Sequence, residues 1–143
     1  MDDIHRGINM GKKILIVDDD NDVILFLTTV LKDHGYQVMD ARDGEEGLEK
    51  IKAEKPDLVL LDLMMPQKSG IALLADMKHD KKLSDIPVIM VTGVAGETGI
   101  DFASFLKKGS EKDPGVMPFS PEGYIEKPID PEKLITLIKE IVE

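Results

Sequence analysis

The sequence predicts an α/β fold in which a doubly wound parallel sheet of five strands carries helices on both faces. Short apolar runs bounded by breakers recur along the chain, and stretches with apolar residues at helical spacing alternate with them. Unbroken apolar runs are typical of strands buried on both faces, as in a parallel sheet. Parallel neighbours need right-handed crossovers of helix length, and the intervening stretches supply them.

Each predicted strand is a short apolar or alternating run that ends at a polar residue or a breaker. The run 58–61 is uniformly apolar and follows Pro56-Asp57, so we expect it at the centre of the sheet. The run 36–41 alternates weakly and is predicted to lie at an edge. Pro87 lies near the start of its strand, where no ladder hydrogen bond is lost. The predicted strands cover residues 14–17, 36–41, 58–61, 86–91 and 123–126.

Helices are predicted after each of the first three strands because apolar residues recur there at helical spacing. The core-facing residues are Val23, Leu27, Val30 and Leu31 in the first helix, Leu48 and Ile51 in the second, and Ile71, Leu74 and Met77 in the third. The first helix is predicted to have Asn21 or Asp22 as its N-cap and to stop at Gly35. The second helix is predicted to begin at the Asp43/Glu46 capping pair and to end near Lys55-Pro56.

The last third of the chain has a weaker pattern. Ile100, Phe102, Phe105 and Leu106 are compatible with a fourth helix, and the Gly- and Pro-rich stretch 109–121 is predicted to be a loop. A final helix is predicted to begin at Pro131 after the cap Asp130. Its apolar face comprises Leu134, Leu137, Ile138 and Ile141.

Length and composition favour one soluble globular domain. The 143 residues are 42% hydrophobic and contain no cysteine, which excludes a disulfide framework and a thiolate metal site. No apolar run approaches the ~18 residues that a membrane span needs. Residues 1–12 are predicted to be a flexible tail rather than a secretory signal, because they contain early acids and no apolar core. We therefore expect a cytoplasmic protein without a membrane partner.

The charge balance argues against a nucleic-acid partner. The net charge is −10, with 28 acidic against 18 basic residues, whereas phosphate backbones need stripes of Lys and Arg. Aromatic residues make up only 4%, which disfavours base stacking.

Chemistry-bearing side chains follow four of the predicted strands: Asp18-Asp19, Asp62, Thr92 and Lys127. Ligands of open parallel sheets bind beyond the carboxyl ends of the strands, so these residues should converge on one site. Read singly, Asp18 and Asp19 are also compatible with helix caps, and Asp62 and Thr92 with turn residues. Together, three repelling carboxylates need a cation, and oxygen ligands favour Mg²⁺. The lysine and threonine suit a phosphate, with Asp62 as the nucleophile.

In this order and at these positions, the residues resemble the receiver domain of two-component response regulators. The likeness covers residues 13–143 and rests on Asp18-Asp19, Asp62 in Leu-Asp-Leu-Met-Met-Pro, Ser69-Gly70, Thr92, Tyr124 and Lys127-Pro128. The resemblance implies a flavodoxin-like sheet with strand order 2-1-3-4-5. It also implies a cis peptide bond before Pro128.

The resemblance further implies that Asp62 accepts a phosphoryl group from a histidine kinase or phosphotransfer protein. Asp18, Asp19, Asp62 and the backbone carbonyl of Met64 would hold Mg²⁺. Lys127 would neutralise the carboxylate and then the phosphoryl oxygens, while Thr92 and Tyr124 would rearrange as the switch. Such a protein is a phosphoacceptor that promotes its own phosphorylation and dephosphorylation, not an enzyme acting on other substrates. Its downstream protein partner would meet the face of the fourth helix, fifth strand and final helix.

Two departures from the family pattern lead to further expectations. Met64 and Val94 are apolar at positions that control water access, which predicts slow self-dephosphorylation. The interval from Thr92 to Tyr124 is 32 positions (124 − 92), longer than is usual in the family. The added residues are equally compatible with a partner-specific feature and with a tolerated insertion.

Three alternatives use a similar fold. A pseudo-receiver would bind partners without taking phosphate, although the acids, threonine and lysine are intact. A phosphatase of the haloacid-dehalogenase type needs a second acid two residues after the first, where this chain has Met64. A flavodoxin-type protein needs a Ser/Thr/Gly-rich loop after the first strand, where this chain has Asp18-Asp19-Asp20. The sequence favours a single-domain response regulator, either free-standing, a relay component or part of a longer protein.

Overall fold

The computed structural model describes residues 12–63, 65, 69–93 and 121–142, and the account below concerns these residues. They form a five-stranded parallel sheet with the order β2-β1-β3-β4-β5. This confirms the predicted fold class and strand order. The strands are β1 (Lys13–Val17), β2 (Gln37–Ala41), β3 (Leu58–Asp62), β4 (Val88–Thr92) and β5 (Gly123–Glu126).

Four helices are described: α1 (Asn21–Asp33), α2 (Gly44–Glu54), α3 (Gly70–His79) and α4 (Pro131–Val142). Each begins after a residue whose side-chain oxygen accepts a backbone N–H of the first turn. Those residues are Asp20 for α1, Asp43 for α2, Ser69 for α3 and Asp130 for α4. The predictions at Asp43 and Asp130 are confirmed.

The predicted cap of the first helix is wrong by one residue. Asp20, not Asn21 or Asp22, has extended backbone angles and accepts the amide proton of Asp22 at 2.8 Å. Asp20 is the last residue before the helical turns begin, so only its side chain can reach the free amides of the first turn. The predicted stop is confirmed, because His34 is the C-cap and Gly35 has φ 89°.

The helices cover both faces of the sheet. One apolar cluster packs Leu15, Val17, Val59 and Leu61 against residues of α2 and α3, such as Ile51 and Leu73. The other packs Ile14, Ile16, Leu60 and Ile89 against α1 and α4 through residues such as Leu27 and Leu134. Alternate residues of the central strands pack on opposite faces of the sheet. Burying each large aliphatic side chain contributes about 1.5–3 kcal/mol to the stability of the fold.

The predicted core-facing residues all pack in or against the two apolar clusters, but the buried positions differ from the prediction. In α1, Ile24 is buried with Leu27 and Leu31, whereas Val23 and Val30 are half-buried. In α3, Leu73, Leu74 and Met77 are fully buried while Ile71 is half-buried, because the buried stripe lies nearer Leu73 than expected. In α4, Ile135 is buried whereas Leu137 and Ile141 are half-buried. The predicted fourth helix and nearly all of the predicted loop 109–121 lie outside the described residues. Among the helices described, none is both long and apolar enough to cross a membrane.

The strand register brings the polar strand ends to one edge. Val17 pairs with Leu61, so Asp18 and Asp62 follow at the same level on neighbouring strands. Asp62 pairs with Val91, and Thr92 pairs with Glu126, directly before Lys127. The carboxyl edge of the sheet therefore holds five predicted site residues: Asp18, Asp19, Asp62, Thr92 and Lys127. Tyr124 lies within β5, where it pairs with Met90.

Candidate functional site

Three carboxylates meet beyond the carboxyl ends of β1 and β3. Asp18 and Asp19 follow β1, and Asp62 is the last residue of β3. Each offers one oxygen, and these oxygens all lie within 4.8 Å of one another. Asp18 and Asp62 are only 2% and 6% exposed, while Asp19 is exposed. Two buried carboxylates at this distance repel each other unless positive charge lies between them.

Asp18 is held in place by its neighbours on the chain. Its Oδ1 accepts the backbone N–H of Asp20 at 2.9 Å, and its own N–H donates to the carbonyl of Ala41 at 3.0 Å. Burial raises the pKa of Asp18, and the Asp20 amide and the Lys127 ammonium only partly oppose this effect. Burial therefore outweighs the positive groups described around Asp18, so its charged form is less favourable than that of an exposed aspartate.

Lys127 is the cation of the site. Its Nζ lies 3.4 Å from Asp18 Oδ2 and 3.6 Å from Asp62 Oδ1, and its backbone N–H donates to the carbonyl of Thr92 at 2.8 Å. The Lys127–Pro128 peptide bond is cis, as predicted. Burial lowers the pKa of Lys127, but the charges of Asp62 and Asp18 outweigh it and the pKa is raised overall. The side chain is therefore cationic at neutral pH.

Thr92 and Tyr124 lie on the neighbouring strands β4 and β5. Thr92 is 5% exposed at the end of β4, and Tyr124 is half-buried against the apolar cluster under α2 and α3. Burial raises the pKa of Tyr124, so its phenol is neutral at physiological pH. Together with Lys127 and Leu137, both side chains line a concave surface between β5 and α4.

The donor set suits a hard divalent cation. Every candidate ligand described is a carboxylate oxygen, with no nitrogen or sulfur ligand in this cluster, and Mg²⁺ prefers oxygen ligands. Among the residues described, one lysine is paired with Asp18 and Asp62 in a cluster of three carboxylates, so a divalent cation would restore the charge balance. The residues present therefore fit Mg²⁺. The predicted carbonyl ligand, Met64, lies outside the described residues.

The structure assembles the predicted residues and adds two that sequence reasoning did not place in the site. Asp20 donates its backbone N–H to the Asp18 carboxylate. The run Asp18-Asp19-Asp20 did not show which of the three acids is a metal ligand and which one caps the helix. Gly70 lies against the backbone of Asp62, where a Cβ would be 2.2 Å from the Asp62 carbonyl oxygen. The glycine is visible in the sequence, but its contact with Asp62 depends on where α3 begins.

Comparisons with known proteins agree with this geometry. The model of the response regulator receiver domain matches residues 14–139. Protein PilH of Pseudomonas aeruginosa is 35% identical over 130 residues, which are 91% of this chain and 97% of that protein. The alkaline phosphatase synthesis transcriptional regulatory protein PhoP of Bacillus subtilis is 34% identical over 133 residues, 93% of this chain and 49% of that protein. The chain thus spans about half the length of PhoP.

Solved structures show the same relationship. The receiver domain of a Francisella response regulator superposes with a TM-score of 0.73 at 26% identity, covering 92% of this chain and 97% of that domain. The family model covers most of the sequence, and PilH matches along nearly its whole length. The chain therefore belongs to the response regulator receiver domain family, whose members are generally non-enzymatic signalling modules of two-component systems.

Proposed function

We propose that the protein accepts a phosphoryl group on Asp62 from a histidine kinase or phosphotransfer protein, in the presence of Mg²⁺. One observation carries the proposal. The Asp62 carboxylate is nearly buried, lies 3.6 Å from the Lys127 ammonium, and has the Asp18 and Asp19 oxygens within 4.8 Å. A carboxylate placed among cation ligands and a lysine has the setting of an aspartyl-phosphate nucleophile.

In the transfer step, a carboxylate oxygen of Asp62 attacks the phosphorus of the donor phosphohistidine. An O–P bond forms while the P–N bond breaks, and the electron pair returns to the imidazole nitrogen of the donor, which gains a proton. Bound Mg²⁺ supplies positive charge to the carboxylates and the phosphoryl oxygens. Asp18, Asp19 and the carbonyl of Met64 would hold it, and Lys127 is close enough to Asp62 to reach the transferred group.

Thr92 and Tyr124 form the proposed switch. Thr92 ends β4 one residue after Val91, the partner of Asp62, and its hydroxyl is the proposed hydrogen-bond donor to a new phosphoryl oxygen. Tyr124 pairs with Met90 on the same strand, β4, and lines the concave surface toward α4. Because the phosphoryl dianion adds hydrogen bonds in only one arrangement, it shifts the population toward that arrangement.

The proposed consequence of the switch is a change in protein contacts. The face formed by β5 and α4, together with the predicted fourth helix, is the proposed site of the downstream protein, since Tyr124, Lys133 and Leu137 border one concave surface there. The proposed setting is the cytoplasm, without nucleic-acid or membrane partners. The domain boundaries at 12 and 143 remain a prediction.

Self-dephosphorylation is proposed to be slow. Met64 and Val94 are apolar, and apolar side chains at these positions would keep water from the phosphoryl group. Replacing both with polar residues should shorten the lifetime of the phosphorylated form in the absence of any phosphatase. An unchanged or longer lifetime in that double variant would contradict the proposed role of these two positions.

The proposal is tested by intact mass after incubation with Mg²⁺ and a small acyl-phosphate donor. The native chain should gain one phosphoryl group, and Asp62→Asn should gain none. Asp85→Asn is the matched control, because Asp85 is an exposed acid on the turn before β4. Removing Mg²⁺ with EDTA should abolish the gain. If the native chain gains nothing with several donors, the proposal fails and a pseudo-receiver is the better interpretation.

A further inference from the structure

Gly70, the first residue of α3, lies in direct contact with the backbone of the proposed phosphoacceptor. A Cβ on Gly70 would lie 2.2 Å from the carbonyl oxygen of Asp62 and 3.0 Å from both the Asp62 carbonyl carbon and the Leu63 Cα. These are main-chain atoms, which cannot rotate away as a side chain can. Glycine is the residue that permits so close an approach of two backbone segments.

Two hydrogen bonds hold Leu63, the residue directly after Asp62. The N–H of Gly70 donates to the carbonyl of Leu63 at 3.1 Å, which closes the connection between β3 and α3. The N–H of Leu63 donates to the carbonyl of Val91 on β4, also at 3.1 Å. Both polar groups of Leu63 are thus bonded, so the peptide that follows Asp62 is fixed from two sides.

We propose that Gly70 is a positioning residue for the Asp62 site. Its missing side chain lets α3 begin close enough to hold both Asp62 and the backbone just beyond it in the geometry that Mg²⁺ binding needs. The inference rests on the proposed Mg²⁺ site. A Cβ would force the 2.2 Å separation to open to at least 3.0 Å, a displacement of 0.8 Å or more. Displacements of about this size at supporting positions impair metal and reaction sites.

The other crowded glycines differ in what surrounds them. The nearest atoms to a Cβ on Gly123 would be the ends of the Leu137 and Ile141 side chains, at 3.3 Å. Those methyl groups can move by a few tenths of an ångström without shifting the backbone. Gly123→Ala is therefore the matched control, because it makes the same chemical change in the same domain without pushing on Asp62.

The experiment measures Mg²⁺ binding by isothermal titration calorimetry for the native chain, Gly70→Ala and Gly123→Ala. Circular dichroism and urea unfolding show that each variant is folded. We expect Gly70→Ala to bind Mg²⁺ about tenfold or more weakly, in line with the loss of other supporting contacts at metal sites. Gly123→Ala should bind within about twofold of the native chain, since its effect is confined to packing.

A folded Gly70→Ala variant with native Mg²⁺ affinity would overturn the inference. If that variant does not fold, amide hydrogen exchange of the native chain decides instead. The N–H groups of Leu63 and Gly70 should exchange more slowly when Mg²⁺ is added, because their hydrogen bonds hold the backbone next to Asp62. Unchanged exchange at both of these N–H groups would overturn the inference. Failure of the native chain to bind Mg²⁺ at all would instead be a failure of the proposed function.

Discussion

At the amino edge of the sheet, Lys13 and Lys78 are each paired with one glutamate, whereas at the carboxyl edge one described lysine is paired with two of three clustered carboxylates. Asp57, just before β3, accepts the backbone N–H of Lys13 at 2.7 Å, and the Lys13 ammonium donates to the carbonyl of Glu54 at 3.2 Å. These contacts join β1, β3 and the end of α2. At this edge, charged residues link neighbouring secondary-structure elements.

A second contact at the amino edge joins α3, β4 and β5. Glu122 Oε2 accepts from the Lys78 ammonium at 2.9 Å, while its Oε1 accepts the backbone N–H of Val88 at 2.8 Å. Lys78 also donates to the carbonyl of Ser84 at 3.2 Å, and its side chain is only 10% exposed. The Lys78 ammonium and both Glu122 oxygens all have hydrogen-bond partners, so this cluster should stabilise the fold without a bound metal ion.

The carboxyl edge lacks that balance. Burial raises the pKa of Asp18 even though Lys127 is 3.4 Å away, and the described part of the site has three carboxylates against one lysine. Functional sites commonly retain such unfavourable charge at a cost in stability. The comparison predicts that removing a charge will have opposite effects on stability at the two edges.

The largest effect is expected at the amino edge. Lys78→Met keeps the aliphatic part of the side chain but leaves the Ser84 carbonyl and one Glu122 oxygen without the ammonium. The free energy of unfolding should fall by about 2 kcal/mol, in the range for lost hydrogen bonds to charged groups. Urea unfolding measures it, with Lys82→Met, at an exposed lysine on the nearby turn, as the control. Adding Mg²⁺ should not restore the loss, and a restored loss would contradict the separation of the two edges.

For Asp62→Asn, we expect the free energy of unfolding to change in the opposite direction. In EDTA, Asp62→Asn should raise the free energy of unfolding by about 1 kcal/mol, because it relieves the repulsion from Asp18 and Asp19. Glu122→Gln, the corresponding loss of one acid at the amino edge, should lower it. Mg²⁺ should stabilise the native chain but not Asp62→Asn. If Asp62→Asn is the less stable protein in EDTA, the proposed charge imbalance is wrong.

A smaller effect is expected at Asp20, which serves both the helix and the site. Asp20→Ala removes the cap of α1 and should lower the free energy of unfolding by about 0.5–1 kcal/mol. Asp20→Asn keeps an oxygen acceptor and should recover most of that loss. Thermal unfolding of both variants measures the difference. Equal losses in the two variants would show that the charge of Asp20, not its capping hydrogen bond, matters.

The smallest effect is expected at Glu46, which lies in the first turn of α2 after the carboxyl end of β2 and outside the carboxylate cluster. The backbone N–H of Arg42 donates to its Oε1 at 2.9 Å and lowers the pKa of this carboxyl below its usual 4.5. A lowered folded-state pKa contributes stability above the unfolded pKa, and this contribution is lost as the pH falls through the folded pKa. Below about pH 5, the free energy of unfolding of Glu46→Gln should therefore fall less steeply with decreasing pH than that of the native chain. Glu49→Gln, at an exposed acid of the same helix, should leave that slope unchanged.

Much of the fold was predictable because it rests on local patterns. Uniformly apolar runs identified β3 and β4 as buried strands, and both are buried at every residue. The capping pair at Asp43 and Glu46 located the start of α2. The convergence of Asp18, Asp62 and Lys127 followed from a general property of parallel sheets and is borne out by their distances.

The rest depends on contacts between residues far apart in the chain. Lys78 and Glu122 are 44 positions apart, and nothing local to either residue indicates their pairing. Lys55-Pro56 correctly indicated the end of α2, but the φ of 47° at Lys55, a conformation for which glycine is the expected residue, could not be read from a lysine. The closeness of Gly70 to Asp62 likewise requires knowing where α3 packs. Residues 94–120 lie outside the described part of the chain, so the expectations for them remain predictions.

The contact of Glu122 with Val88 also bears on how this domain can diverge. The chain leaves β4 after Thr92 and is fixed again at Glu122, whose backbone N–H donates to the carbonyl of Val88 at 2.9 Å, while Lys127 donates to Thr92 at the other end of β5. Between two ends held in this way, closing a flexible connection costs only about 0.6 kcal/mol for each doubling of its length. Descendants that keep both ends can therefore gain or lose residues here while Lys127 stays beside Asp62.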